Sequence, residues 1–307
     1  MNSDVIQSFF QLTPDGVLDA IESVGLEPQA ALLALNSYEN RVYQFRDYDE
    51  QKFVEEHQFS LKLADNEIPV IPPMNFAGKT LLEFNGFRFA IFECRGGRTP
   101  ELDDLDTLKW IGRFIGRIHL IGESEPFQHR PEITIQSYAE QGSQFLLNND
   151  FIPNHILPAY KAITSQLIEI CHQRFEQLGS YPIIRLHGDC HPSNILWTDD
   201  GPHFVDFDDS RMGPAVQDLW MLINDANNQT LWNSLLQGYE DFCEFDDRQL
   251  QIVEPLRTIR MIHYSAWLAQ RWDDPSFKHN FPWFNTTRYW EENLLSLKEQ
   301  LSAIQHS

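Results

Sequence analysis

Residues 183–220 read IIRLHGDCHPSNILWTDDGPHFVDFDDSRMGPAVQDLW, and the order of polar and apolar residues in this stretch decides the fold. Ile183, Ile184 and Leu186 form an apolar run that stops at His187-Gly188-Asp189. Asn194 follows five residues after Asp189, and Ile195-Leu196-Trp197 resumes the apolar pattern. Asp199-Asp200-Gly201 is a hairpin signal, and the returning strand His203–Val205 leads to Asp206-Phe207-Asp208-Asp209. A hairpin folded symmetrically about Asp200 places Asn194 opposite Asp206, within the roughly 5 Å of a cross-strand pair.

An amide oxygen beside a carboxylate at a hairpin mouth suits a hard cation that keeps several waters, which describes Mg²⁺. Asp189, upstream on the same rim, is a carboxylate available as a base. Any one of these residues is an ordinary turn former. The ordered set HGD-x4-N-x11-D-x-D at strand ends is what metal-assisted phosphoryl transfer requires: a base for a hydroxyl and ligands for a phosphate-bound metal. The Asp189–Asn194 spacing matches the D-x4-N of a kinase catalytic loop, with Asp206 in the place of the metal-binding aspartate that follows it.

Composition bounds the rest. At 307 residues the chain can form two domains or one large bilobal one, and 42% apolar residues with eight Trp and 22 Phe supply a full core. A net charge of −22 disfavours nucleic acid and anionic membrane as partners. Cys94, Cys171, Cys190 and Cys243 lie far apart without a C-x-x-C pair, as reduced thiols of a cytoplasmic protein do. Neither a signal-peptide pattern nor an eighteen-residue apolar run occurs, so the expectation is a chain with no membrane segment.

In chain order, Thr13-Pro14-Asp15 opens a helix that Gly25 closes. Leu35–Phe45 reads as an Asn/Ser turn entering a strand, a geometry that can lay backbone N–H groups over phosphates. Glu56–Leu63 reads as a helix with Phe59 and Leu63 on one face. Ile68–Pro73 is an edge-type strand, and Asn85-Gly86 joins Thr80–Phe84 to Phe87–Phe92 as a hairpin. Glu93–Arg98, with paired glycines, marks the change from strand-rich to helix-rich sequence. Helices are expected over Leu105–Leu120, Ala159–Leu178, Pro214–Asn224, Gln229–Glu244, Asp247–Arg271 and Thr287–Ile304, with Gly112 and Gly116 at a close helix contact. These elements predict an α+β bilobal fold: a small antiparallel-sheet lobe over 1–93, a hinge at 94–97 and a mainly helical lobe over 98–307.

Several polar residues read as structural. His119 belongs to a buried helix face, His187 braces the loop, Asp218 hydrogen-bonds the loop backbone, and Cys190 is a bystander. Arg185 and Arg211 are expected in surface salt bridges. The aromatic run from Phe281 to Trp290 could line a substrate groove, the plainer reading being that it fills the core beneath the last helix.

The strings HGDCHPSNILW, VDFDD, GPAVQDLW and LNSYENRVYQF, with EEHQF, NEIPV, EPLR and NFPW, resemble the bacterial stress response kinase A family nearly end to end. These are serine/threonine protein kinases built on the choline/aminoglycoside-kinase variant of the protein-kinase fold. The resemblance implies ATP and Mg²⁺ as cofactors, Asp189 as the proton acceptor, and Asn194 and Asp206 as magnesium ligands. It also implies Ser37 at the nucleotide phosphates and Glu56 as the helix glutamate that pairs with a nucleotide-anchoring lysine. The implied partner is a protein with a serine or threonine acceptor, the chain itself among the candidates, phosphorylated by a cytoplasmic monomer.

One departure stands out. The family continues the strand begun at Phe53-Val54 through a lysine and a loop into the helix, whereas here Val54 runs straight into Glu55-Glu56. Lys52 lies about four positions early, roughly 13 Å along a strand. A strand end joined directly to that helix predicts a discontinuity at Val54–Glu55. Two further readings follow. Eleven residues separate Asp206 from Asp218, too few for a long peptide-presenting segment, which favours a small-molecule hydroxyl kinase. Loss of the lysine would make the chain a pseudokinase-like binding module.

Overall fold

The computed structural model describes residues 14–26, 50–223, 228–273 and 275–306. Ser37 and the turn and strand expected over Leu35–Phe45 lie outside the described residues. The described residues fall in two compact units, one within Met1–Asn66 and Val70–Arg95, the other within Glu67–Pro69 and Gly96–Ser307.

In the first unit, helix α1 (Pro14–Glu22) carries Asp15 in its first turn, and Gly25 at φ +84° follows its end. Helix α2 (Glu50–Asp65) corrects the reading of Phe53-Val54 as a strand. The helix runs unbroken through Val54–Glu55, and the expected discontinuity is not there. Two apolar residues have no alternation to sustain a strand, while the surrounding Glu, Gln, Lys, Leu and Ala residues favour helix. Glu56, Phe59, Ser60 and Leu63, at helical spacing, form the buried face, with Phe59 and Leu63 fully inaccessible. Lys52 therefore precedes Glu56 by one helical turn. The His57 ring meets Thr80 Oγ1 at 2.8 Å and the edge of Phe92. Strands β1 (Leu82–Phe84) and β2 (Phe87–Phe89) pair across Asn85-Gly86, both at positive φ, as a two-residue hairpin turn requires.

In the second unit, Asp104 caps helix α3 (Leu105–Gly122) by accepting hydrogen bonds from the Asp106 and Thr107 N–H groups. Leu108, Ile111, Ile115, Ile118 and His119 make its buried stripe. A π-turn over Gln136–Glu140 leads into α4 (Gln141–Asn148), helical sequence that periodicity alone did not identify. Helix α5 (Leu157–Leu178) precedes β3 (Ile184–Leu186), then β4 (Ile195–Thr198), β5 (Gly201–Phe204) and β6 (Arg211–Gly213). Both pairs are antiparallel: β3 with β6 and β4 with β5. The helix expected over Pro214–Asn224 is only α6 (Gln217–Trp220). Helix α7 (Gln229–Tyr239) crosses α3 so closely that a Cβ at Gly112 would overlap the Leu235 carbonyl oxygen. A 3₁₀ turn over Asp247–Ile252 enters α8 (Val253–Gln270), followed by α9 (Pro275–Asn280) and α10 (Thr287–His306).

Phe281, Phe284 and Trp290 are buried, whereas Trp283 is exposed, so most of the aromatic run is core. No helix among the described residues is long and apolar enough to cross a membrane.

Candidate active site

The loop His187–Asn194 is held from beneath by one buried carboxylate. Asp218, at the start of α6, accepts the His187 N–H through Oδ2 at 2.7 Å and the Gly188 N–H through Oδ1 at 2.9 Å. His119 Nε2 lies 3.0 Å from Oδ2, and its Nδ1 is 3.0 Å from the Tyr239 hydroxyl. The chain can turn here because Gly188 sits at φ +88°, where an added Cβ would also overlap the Asp209 carbonyl oxygen. Gln217 Nε2 donates to the Gly188 carbonyl. The His187 ring packs tilted against Phe207 and its Nε2 lies 2.9 Å from the Val205 carbonyl oxygen. His119, His187 and Asp218 thus take the bracing parts expected of them, and Cys190, with its thiol pushed up by burial, is inert.

The hairpin register corrects the sequence expectation. Thr198 pairs with Gly201 and Ile195 with Phe204, so Asp199-Asp200 is a two-residue loop with its dyad between the two aspartates. Asn194 consequently pairs with Val205, whose N–H donates to the Asn194 carbonyl at 3.1 Å. Asp206 is the next residue and leaves the ladder in a left-handed conformation, φ 69° and ψ 62°. A non-glycine residue held there costs on the order of 1–3 kcal/mol, and such outliers gather at functional sites.

Three of the five expected site residues come together. Asn194 Nδ2 donates to the Asp189 carbonyl at 3.0 Å, which leaves its Oδ1, the atom a hard cation takes, on the other branch of the amide. Asp206 precedes the 3₁₀ turn Phe207–Asp209, yet its carboxylate accepts no capping hydrogen bond. This pair fits a cation with oxygen ligands. Among the described residues no three His, Cys, Asp or Glu side chains form a metal cage, so two protein oxygens would leave the remaining positions to phosphate and water, as Mg²⁺ prefers. Glu56 is buried on α2 in the first unit, and Ser37 lies outside the described residues.

Sequence reasoning missed the cationic side of the loop. Arg260, on α8, places Nη2 2.5 Å from Asp189 Oδ1, while His191 Nε2 is 3.5 Å from Oδ2. Next to them Arg211 pairs with Asp209, and its guanidinium lies over the Tyr138 ring at 5.2 Å. Tyr138, on the π-turn, stacks on His263 with centroids 4.2 Å apart. Burial opposes ionisation of Asp209, but Arg211, with Arg260 and His263, outweighs it and brings the carboxyl down to about 2. Burial, then Arg211, pushes His263 down to about 4, and burial pushes the Tyr138 hydroxyl up to about 12. Arg211 is therefore no surface ion pair. Neither is Arg185, which is buried, stacks on Phe127 and pairs with Glu125 at 3.2 Å. No local signal marks Arg260: it is one arginine on an amphipathic helix, 71 residues after Asp189.

The chain is similar to several known proteins. A sequence profile described as "Phosphotransferase enzyme family" matches residues 33–253. Stress response kinase A of Escherichia coli strain K12 is 41% identical over 315 aligned positions, covering 97% of this chain and 95% of that protein. Serine/threonine protein kinase RdoA of Salmonella typhimurium is 40% identical over 314 positions, with 97% and 95% covered. The structure of amicoumacin kinase hAmiN in complex with AMP-PNP, Ca²⁺ and Ami superposes with a TM-score of 0.60 at 19% identity, covering 81% of this chain and 79% of that one. The last likeness shows the shared protein-kinase-like fold, and the first three bear out the resemblance carried by the motifs. The 315 positions aligned with the Escherichia coli protein exceed the 307 residues here, so that relative carries residues with no counterpart in this chain.

Proposed function

The chain belongs to the phosphotransferase enzyme family together with the stress response kinase A proteins, and on that premise we propose that it transfers the γ-phosphoryl group of ATP to a serine or threonine hydroxyl of a protein. Asp189 takes the hydroxyl proton as the oxygen–phosphorus bond forms and the bond to the departing ADP breaks. Asn194 and Asp206 hold the magnesium ion, which offsets the phosphate charge; Ser37 and Glu56 serve the nucleotide phosphates. The lobes are 1–93 and 98–307 with a hinge at 94–97, and the enzyme works as a cytoplasmic monomer. The observation that carries the reading is the Asp206 carboxylate, held left-handed beside Asn194 and accepting no capping bond.

A second reading, a small-molecule hydroxyl kinase, has one observation in its favour. After Asp206 the chain passes through a single 3₁₀ turn into β6, which pairs with β3, and then into α6. That leaves no length for a segment presenting a peptide. A third reading, a pseudokinase-like module, draws on the continuous α2 and the missing lysine.

One experiment separates the three: labelled ATP with the chain alone, with protein acceptors, and with amino alcohols and aminoglycosides. Label on the chain or on protein, lost in Asp189→Ala, supports the first reading. Label on small molecules alone supports the second. Nucleotide binding with no transfer to any acceptor supports the third.

A further inference from the structure

Resting on the reading of Asp189 as the base, we propose that Arg260 is the positioning residue of this site, selecting which oxygen of Asp189 accepts the proton. The carboxylate has two chemically equivalent oxygens. Arg260 Nη2 lies 2.5 Å from Oδ1, and His191 Nε2 lies 3.5 Å from Oδ2. Oδ1 is thus buried against the guanidinium in an ion pair, which leaves Oδ2 for the acceptor hydroxyl.

The loop does not supply this clamp. Its backbone is fixed by Asp218 and Gln217, and Asn194 grips the Asp189 carbonyl, so none of these contacts sets the rotation of the Asp189 carboxylate. The guanidinium comes from a rigid element. On α8, Ile259 and Ile262 flank Arg260 and are buried, and Gln300 Nε2 from α10 donates to the Glu254 carboxylate at 2.8 Å and to Thr258 at 3.0 Å. Arg211 is occupied by Asp209, and His263, one turn beyond Arg260, is held neutral by burial, so neither competes for Asp189. Arg260 keeps about a third of its side-chain surface exposed, so its replacement leaves the core intact.

The test compares Arg260→Met, Arg260→Lys, Asp189→Ala and the Arg260→Met/Asp189→Ala double variant in label transfer from ATP to the chain itself or to the acceptor found above. Expected are a fall in kcat of about 10- to 100-fold for Arg260→Met, an unchanged KM for ATP, and partial rescue by lysine. The double variant should be no slower than Asp189→Ala alone, because a residue acting through Asp189 has nothing left to position. Wild-type kcat in Arg260→Met, a raised KM for ATP as the main effect, or losses that add in the double variant would each overturn the proposal. If the unaltered chain transfers no label, the kinase reading fails, and crystal structures still decide this one. A rotated Asp189 carboxylate in Arg260→Met, restored in Arg260→Lys, upholds the clamp; an unmoved one overturns it.

Discussion

Replacing Asp218 by Asn exchanges one carboxylate oxygen for an NH₂ group at nearly constant volume. In the native protein Oδ1 accepts from Gly188 N–H and Oδ2 accepts from His187 N–H, both buried, with His119 Nε2 also at Oδ2. An asparagine has one accepting atom, so whichever way the amide turns, one of those backbone donors faces another donor. Leaving a buried N–H unmet costs about 1–3 kcal/mol. The surviving bond loses its charge assistance, a further loss of about 1 kcal/mol, because hydrogen bonds to charged groups are worth about 1.5–3 kcal/mol and neutral ones about 1. His119 can change tautomer and accept from the new NH₂, which limits the damage on that side. The sum is about 2–4 kcal/mol, localised at the turn that carries Asp189. Urea unfolding followed by tryptophan fluorescence measures the loss, and amide exchange of residues 186–190 shows where it falls. Phosphoryl transfer should drop although Asp218 is buried and touches no substrate. A variant within about 0.5 kcal/mol of the parent, with unchanged exchange at Gly188, would refute the view that this carboxylate holds the loop.

Three other outcomes follow from the same geometry. Gly112→Val puts a side chain against the Leu235 carbonyl and should cost several kcal/mol by forcing α3 and α7 apart, seen as a lower unfolding midpoint; an unchanged midpoint would mean that the helices are not in close contact. His263, held down to about 4 against an ordinary 6.5, stays neutral in the folded protein while the unfolded chain takes up a proton, so stability present above pH 6.5 falls as the pH drops toward 4. The loss is at most about 3 kcal/mol, and His263→Gln should flatten the unfolding midpoint across that window. Asp206→Ala should lose the Mg²⁺-dependent part of nucleotide binding while Asp189→Ala keeps it, read by calorimetric titration with and without the metal. Equal Mg²⁺ dependence in the two variants would take Asp206 out of the metal site.

Much of this arrangement could be read from order along the chain. The α3 stripe, the Asn85-Gly86 hairpin and the HGD-x4-N-x11-D frame are set by contacts within a turn, a helical repeat or a few dozen residues, and local chemistry specifies them. The bracing roles of His119, His187 and Asp218 were legible for a related reason: polar residues embedded in apolar runs must find buried partners. The strand at Phe53-Val54 comes from the family resemblance, and the helical preference of the whole of Glu50–Asp65 overrides it.

The amino-acid order alone determined the family, the two-unit α+β fold and the identity of the loop carboxylates. Tertiary structure decided how those carboxylates are held. A half-residue shift of the hairpin dyad moved Asn194 from Asp206 to Val205, and Asp206 took a left-handed backbone that no spacing rule foretells. Arg260 reached Asp189, and Tyr138 and His263 gathered at the local Asp209–Arg211 pair, from elements tens of residues apart. Helix periodicity states which residues share a face, but the residues that face meets depend on how α8 packs against the loop. That packing is settled by burial across the whole unit, and the charge around the candidate base is set with it.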